Sequence, residues 1–139
     1  NNPTVVVDAD AIVAQAYPSD SNHQLAVDIS VMLNNKNARV VYPATAILEA
    51  TTVLQGRLSS GGTAYGTAVT FTDPGVEVAE INQKVLTDAI KYFSPTTSKK
   101  NTLFDCVVAA TAEEYKADAI FSFDKFYKTK GFKLASELK

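Results

Sequence analysis

The chain has 139 residues, 46% hydrophobic and 20% charged, with a formal net charge of −2 and a sequence pI of about 5.3. That balance is ordinary for a globular domain able to bury a core without staples, and it excludes a strongly basic nucleic-acid coat protein. With a single cysteine, Cys106, and a single histidine, His23, it also excludes an internal disulfide framework and the usual zinc ligand sets.

The length suits one domain over residues 1–139. No run is long and apolar enough to span a membrane, and no basic start backed by an apolar run reads as a signal peptide. The lone cysteine favours a reducing, cytoplasmic setting.

Thr4 to Val7 is β-branched and apolar, which predicts a buried strand ended by Asp8. Ala9 to Tyr17 reads as a short helix closed by Pro18. Asp20-Ser21-Asn22 signals a second helix, with Leu25, Ile29, Met32 and Leu33 at helical spacing. Arg39 to Tyr42 is a second strand. Pro43 suits the first position of a third helix, whose stripe is Ile47, Leu48, Thr51, Leu54 and Leu58. Ser59-Ser60-Gly61-Gly62 breaks that helix, and Thr63 to Thr70 can form another, weakened by Gly66. After the Asp73-Pro74-Gly75 turn come a short strand within Val76–Ile81 and a helix from Gln83 to Phe93, striped by Val85, Leu86, Ala89, Ile90 and Phe93. A polar loop, Ser94 to Asn101, leads to a helix from Leu103 to Tyr115 that is apolar nearly all round in its first half, and so buried. Ala119 to Phe123 is a third strong strand, Asp124 to Gly131 is irregular or a single turn, and Phe132 to Ala135 is a possible last strand.

Strands alternating with helices imply an α/β fold: a mainly parallel sheet covered on both faces. In such folds the working site lies outside the carboxyl ends of the strands. Asp8 and Asp124 each follow a predicted strand, Asp105 opens the buried helix, and Glu49 sits within an otherwise apolar one. Each has an ordinary structural reading. Asp8 and Asp10 are favoured helix caps, Thr102-Leu103-Phe104-Asp105 matches a capping box, Asp124 can start a turn, and Glu49 can be a solvated edge residue. Their placement relative to the strands and helices favours a shared pocket instead. Gathered carboxylates repel and raise one another's pKa values. A divalent cation relieves this, and all-carboxylate ligation suits Mg²⁺ or Mn²⁺. His23 lies in a helix-start segment and reads as structural. Lys99 and Lys100 before Asp105, and Lys125, Lys128, Lys130 and Lys133 after Asp124, are either phosphate contacts beside the acids or a solvated lysine-rich surface.

Several motifs resemble the PIN-domain family, and within it the VapC-like toxins of toxin–antitoxin pairs. Val5-Val6-Val7-Asp8-Ala9-Asp10-Ala11-Ile12 looks like the family's opening strand and aspartate. Asp20, His23 and Ala26 look like a second-helix pattern of these toxins. Ala46-Ile47-Leu48-Glu49 matches the helix carrying its glutamate. Asp105-Cys106-Val107-Val108-Ala109-Ala110-Thr111-Ala112 is similar to its Asp-led helix, and Ser122-Phe123-Asp124-Lys125-Phe126-Tyr127 resembles its final motif. Order and spacing fit nearly the whole chain; Ser59 to Lys100 fits only as generic helix and loop.

The resemblance implies a three-layer α/β/α sandwich and a metal-dependent endoribonuclease. Asp8, Glu49, Asp105 and Asp124 would be its catalytic, metal-binding acids, with Ser122 and Asp10 as supporting groups and Mg²⁺ or Mn²⁺ as cofactor. It further implies an RNA substrate, a small antitoxin partner and possible homodimerisation. Two other readings stand beside it. One is a haloacid dehalogenase-type phosphatase using Asp8 and Asp10, which lacks that family's late paired acidic motif. The other is a non-catalytic binding domain on the same fold.

Overall fold

The computed structural model describes residues 2–139. At its centre is a four-stranded sheet of β1 (Thr4–Val7), β2 (Arg39–Pro43), β3 (Glu77–Ala79) and β4 (Ala119–Phe121). The spatial order is β3-β2-β1-β4 and every neighbouring pair is parallel. β1 is central: Val6 lies opposite Val41 on one side and Ile120 on the other. A parallel strand with partners on both sides and helices over its faces has no wet side, so the unbroken valine run is what this position demands. Val5, Val6 and Val7 are fully buried.

Seven helices surround the sheet among the described residues: α1 (Ala9–Ala16), α2 (His23–Asn35), α3 (Ala44–Gln55), α4 (Gly61–Thr70), α5 (Gln83–Ala89), α6 (Leu103–Glu114) and α7 (Phe126–Thr129). This is the α/β architecture with a parallel central sheet that the sequence predicts. α6 runs against the sheet, and Asp105 to Ala112 are all buried. On its other side α5 closes a smaller apolar cluster of Val85, Ala89, Cys106, Val107 and Ala110.

Several local expectations shift. In α3 the buried residues are Ala46, Ala50 and Leu54, whereas Leu48 is 64% exposed and Leu58 lies past the helix end. In α2 they are Ala26, Ile29 and Leu33, with Leu25 turned outward. In both helices alanines take positions that a stripe of bulky residues would assign to leucine, because small side chains let the helices approach closely. Leu86, Ile90 and Phe93 are likewise exposed, and α5 tightens into a 3₁₀ turn over Ile90–Tyr92. Pro43 ends β2 and precedes the helix instead of occupying its first turn. α4 begins at Gly61, so the break before it is shorter than Ser59-Ser60-Gly61-Gly62 and holds Ser59 at φ 48°. The last strand reduces to a parallel bridge between Ile120 and Leu134, followed by a 3₁₀ turn at Ala135–Glu137. β4 stops at Phe121 because Ser122 and Phe123 turn their hydrogen-bonding groups to Asp10.

Candidate functional site

Asp8 follows the last residue of β1 and caps α1: the Ala9 N–H donates to Oδ1 at 2.7 Å. Its Oδ2 receives the Tyr127 hydroxyl at 2.8 Å and the Ser122 hydroxyl at 3.1 Å. The side chain is 4% exposed. Burial raises its pKa well above the usual carboxylate range, Asp10 and Asp105 push further the same way, and the Tyr127 donor opposes them.

Asp10 lies one helical step on. Its Oδ2 accepts the Phe123 N–H at 2.8 Å and the Ser122 hydroxyl at 3.0 Å. Its Oδ1 is buried without a hydrogen-bond partner. Burial, opposed by those donors, lifts its pKa to about 6. Ser122 thus bridges both aspartates from the end of β4. This ties Asp8 and Asp10 to the segment that follows β4.

Asp105 sits in the first turn of α6, where its Oδ2 accepts the Thr102 N–H at 3.1 Å, the acidic half of a capping box. The Tyr127 hydroxyl approaches its Oδ1 at 3.4 Å. Burial raises its pKa, and the Thr102 N–H and Asn101 amide counter that rise. The same residue both caps α6 and contributes an oxygen to the acidic cluster, so the structural and functional readings of Asp105 are compatible.

Glu49 reaches in from α3 and is half-buried. Burial lifts its pKa to about 7, Asp105 and Asp10 add to the rise, and Arg57 opposes it. One carboxylate oxygen each from Asp8, Glu49 and Asp105 lie within 4.8 Å of one another, close enough to share a cation.

Asp124 is not within that triad. Its Oδ1 accepts the Phe126 N–H at 2.9 Å, holding the turn into α7. Its Oδ2 accepts from the Asn101 side-chain amide at 2.8 Å, and the same amide is 3.4 Å from Asp105 Oδ2. Asn101, only 7% exposed, therefore links the fourth acid to the third. The structure brings together Asp8, Glu49 and Asp105, with Asp10 and Ser122 beside them, and sets Asp124 one hydrogen-bonded residue away.

Sequence reasoning missed Asn101 and Tyr127. Asn101 reads as the end of a polar loop, and only its spacing four residues before Asp105 hints at more. Tyr127 reads as one more aromatic, yet it is fully buried with its hydroxyl turned to two acids. Burial and those carboxylates hold that hydroxyl protonated, so it remains a donor. The nitrogen Nδ1 of His23 lies 2.7 Å from the Ala14 carbonyl and ties α2 to α1, the structural role expected of it.

Two cavities open beside the acids, and Asp10 lines both. One, of about 690 Å³, is also walled by Lys100, Asn101, Phe123, Asp124 and Lys125. The other, of about 230 Å³, lies by Glu49, Asp20 and Arg57.

A parallel α/β sheet with carboxylates converging at its carboxyl end defines a protein with a hard-cation pocket of oxygen donors. The chain belongs to the PIN-domain family, whose family model matches residues 5–133. Among solved structures it is similar to Mycobacterium tuberculosis VapC20, a sarcin–ricin loop cleaving toxin. The TM-score is 0.80 at 17% identity, over 92% of this chain and 95% of the other. At that identity the likeness speaks for the fold. No curated protein matches the chain in sequence. No helix among the described residues is long and apolar enough to cross a membrane.

Proposed function

We propose that this protein is a metal-dependent endoribonuclease, the toxin of a toxin–antitoxin pair, with Asp8, Glu49 and Asp105 as metal ligands and Asp124 in support. The observation that carries the reading is the convergence of those three carboxylates within 4.8 Å in a PIN-family chain. The similarity to a sarcin–ricin loop cleaving toxin supports RNA as substrate, and a toxin of this kind needs a small antitoxin to restrain it.

The donor set fits Mg²⁺ or Mn²⁺. All three donors are hard oxygens, and their pKa values are raised first by burial and then by neighbouring carboxylates, both of which a bound divalent cation offsets. Soft ligands are absent from the cluster: Cys106 is buried in α6 and His23 is engaged with Ala14. When bound, the cation supplies a water of lowered pKa and charge stabilisation at the phosphate. The chain's own part is positioning. Ser122 and Tyr127 hold Asp8, the Thr102 N–H holds Asp105, and Asn101 keeps Asp124 in line with it. Such supporting hydrogen bonds set ligand orientation.

The test is incubation with structured RNA and Mn²⁺. Wild type cuts, chelator stops the cutting, and Asp105→Asn abolishes it. RNA left intact by wild type, or cut equally by the variant, sinks the reading.

A further inference from the structure

The two cavities beside the acids differ in charge and in wall chemistry. The smaller one carries Asp10, Asp20 and Glu49 against a single cation, Arg57. The larger, on the α7 side, carries Asp10 and Asp124 together with Lys100 and Lys125. Both lysines are exposed, and among the described residues neither is in a salt bridge with a carboxylate. The surface lysines that do pair, Lys84, Lys91 and Lys128, lie outside this cleft. A polyanion leaving the acidic centre meets two lysines against two aspartates in one direction, and one arginine against three carboxylates in the other.

The same cleft is lined by Phe123 and Phe126. Phe126 is engaged: the Lys130 ammonium lies 5.4 Å from its ring centroid, and Tyr127 meets it edge-on. Phe123 is half-buried and held in a T-shaped contact with buried Phe121, ring centroids 6.2 Å apart. Its backbone N–H is bonded to Asp10. A ring fixed next to the acidic centre, in a cleft of about 690 Å³, is a platform for a base. Basic groups that follow a backbone, combined with an aromatic that takes an unstacked base, are the chemistry of single-stranded nucleic-acid binding.

We infer that this cleft is the path of a single-stranded RNA segment next to the cleaved bond, with Lys100 and Lys125 on its phosphates and Phe123 stacking one base. The inference rests on the nuclease reading and adds the direction in which the strand leaves the acids. A base-paired segment hides its base faces, so the segment in this cleft is unpaired.

The test uses the full chain and a fluorescein-labelled 12-nucleotide RNA of mixed sequence, single-stranded or annealed to its complement. Anisotropy is read in Ca²⁺ over a salt series, and gels verify that the RNA stays intact. Wild type binds the single strand more tightly than the duplex. Lys100→Ala/Lys125→Ala weakens binding about tenfold or more and flattens the slope of log affinity against log salt by about 1.4, two phosphate contacts' worth for a single strand. Phe123→Ala weakens binding by roughly 5- to 100-fold, the range for losing one stacked base, with the slope unchanged. Phe123→Leu, which keeps the apolar packing, shows the same loss and excludes misfolding as the cause.

No binding by wild type, equal affinity for duplex, or wild-type slope and affinity in the lysine and phenylalanine variants would each overturn the path. So would loss on Arg57→Ala alone, which moves the strand to the other cavity. The nuclease reading fails separately: RNA that binds as described but is never cut in Mn²⁺ removes the activity and leaves the path standing.

Discussion

The two sides of the acidic cluster are built differently. On the sheet side, Asp8, Asp10 and Asp105 are held by hydrogen bonds from the segment just after β4, from α7 and from the loop before α6. On the α3 side, Glu49 is half-buried, and among the described residues no hydrogen-bond donor reaches its carboxylate. One side is assembled before any cation arrives. The other carries a long side chain that must still be ordered, at a rotamer cost of up to about 2 kcal/mol. A site of this kind keeps most of its precision in Asp8 and Asp105, and Glu49 completes it.

The largest expected effect lies on the assembled side. Asp8→Asn keeps the shape and the Oδ1 cap of α1 but removes a charge from the centre of the cluster. RNA cleavage at saturating Mn²⁺ should fall on the order of 100-fold or more, given the several kcal/mol that metal catalysis supplies. The melting temperature of the metal-free protein should rise, because a buried and mutually repelled carboxylate has been neutralised. Initial rates and a thermal melt check both; a variant that is inactive because it is unfolded would break the comparison.

Next come the groups that hold the aspartates. Tyr127→Phe removes the 2.8 Å donor to Asp8 and keeps the buried ring. Asn101→Ala removes the link between Asp105 and Asp124. Losing a hydrogen bond behind a metal ligand typically costs about 10- to 100-fold in metal affinity or activity. The readout is Mn²⁺ affinity from the loss of the free-ion EPR signal. Unchanged affinity in both variants would mean that the assembled side owes nothing to its hydrogen bonds. Glu49→Gln should cost less, about tenfold, and high Mn²⁺ should recover most of it. A loss as deep as that of Asp8→Asn would erase the distinction between the two sides.

These two residues also mark the limit of what was legible in the chain. The valine run ending at Asp8, the apolar helix led by Asp105 and the strand before Asp124 announce the parallel sheet and where its working end lies, because burial on both faces forces continuous apolar runs. Glu49 was found by resemblance to a motif, since a glutamate among apolar helical residues has no periodic signature of function. Asn101 and Tyr127 escaped because hydrogen bonds between side chains 23 and 119 residues apart leave no local pattern. The strand end places Asp124 near the other acids, and only the fold shows the Asn101 amide linking it to Asp105. Helix stripes failed where alanine replaces leucine at a close approach, as at Ala46 and Ala50.

The smallest effect concerns pH and separates Glu49 from its neighbours without RNA. In the unfolded chain Glu49 gives up its proton near its ordinary 4.5, whereas in the folded protein it holds the proton up to about 7. Asp10 likewise holds its proton to about 6. Between these values the folded state binds more protons than the unfolded one, so stability falls as pH rises. Metal-free protein should therefore melt at progressively lower temperature as pH is raised from about 4.5 to 7, with the share of the slope that belongs to Glu49 fading above about 7, once it is ionised in both states. Glu49→Gln should lower the slope across the whole window, and most completely above about pH 6, where the Asp10 share has already faded. Mn²⁺ should reverse the trend, stabilising more as pH rises and its carboxylate ligands ionise. The effect is modest because Glu49 is partly exposed and water screens it. A melting temperature that climbs through this window in chelator, or a Glu49→Gln profile that overlays wild type, would show that Glu49 is as firmly held and as fully charged as the aspartates opposite it.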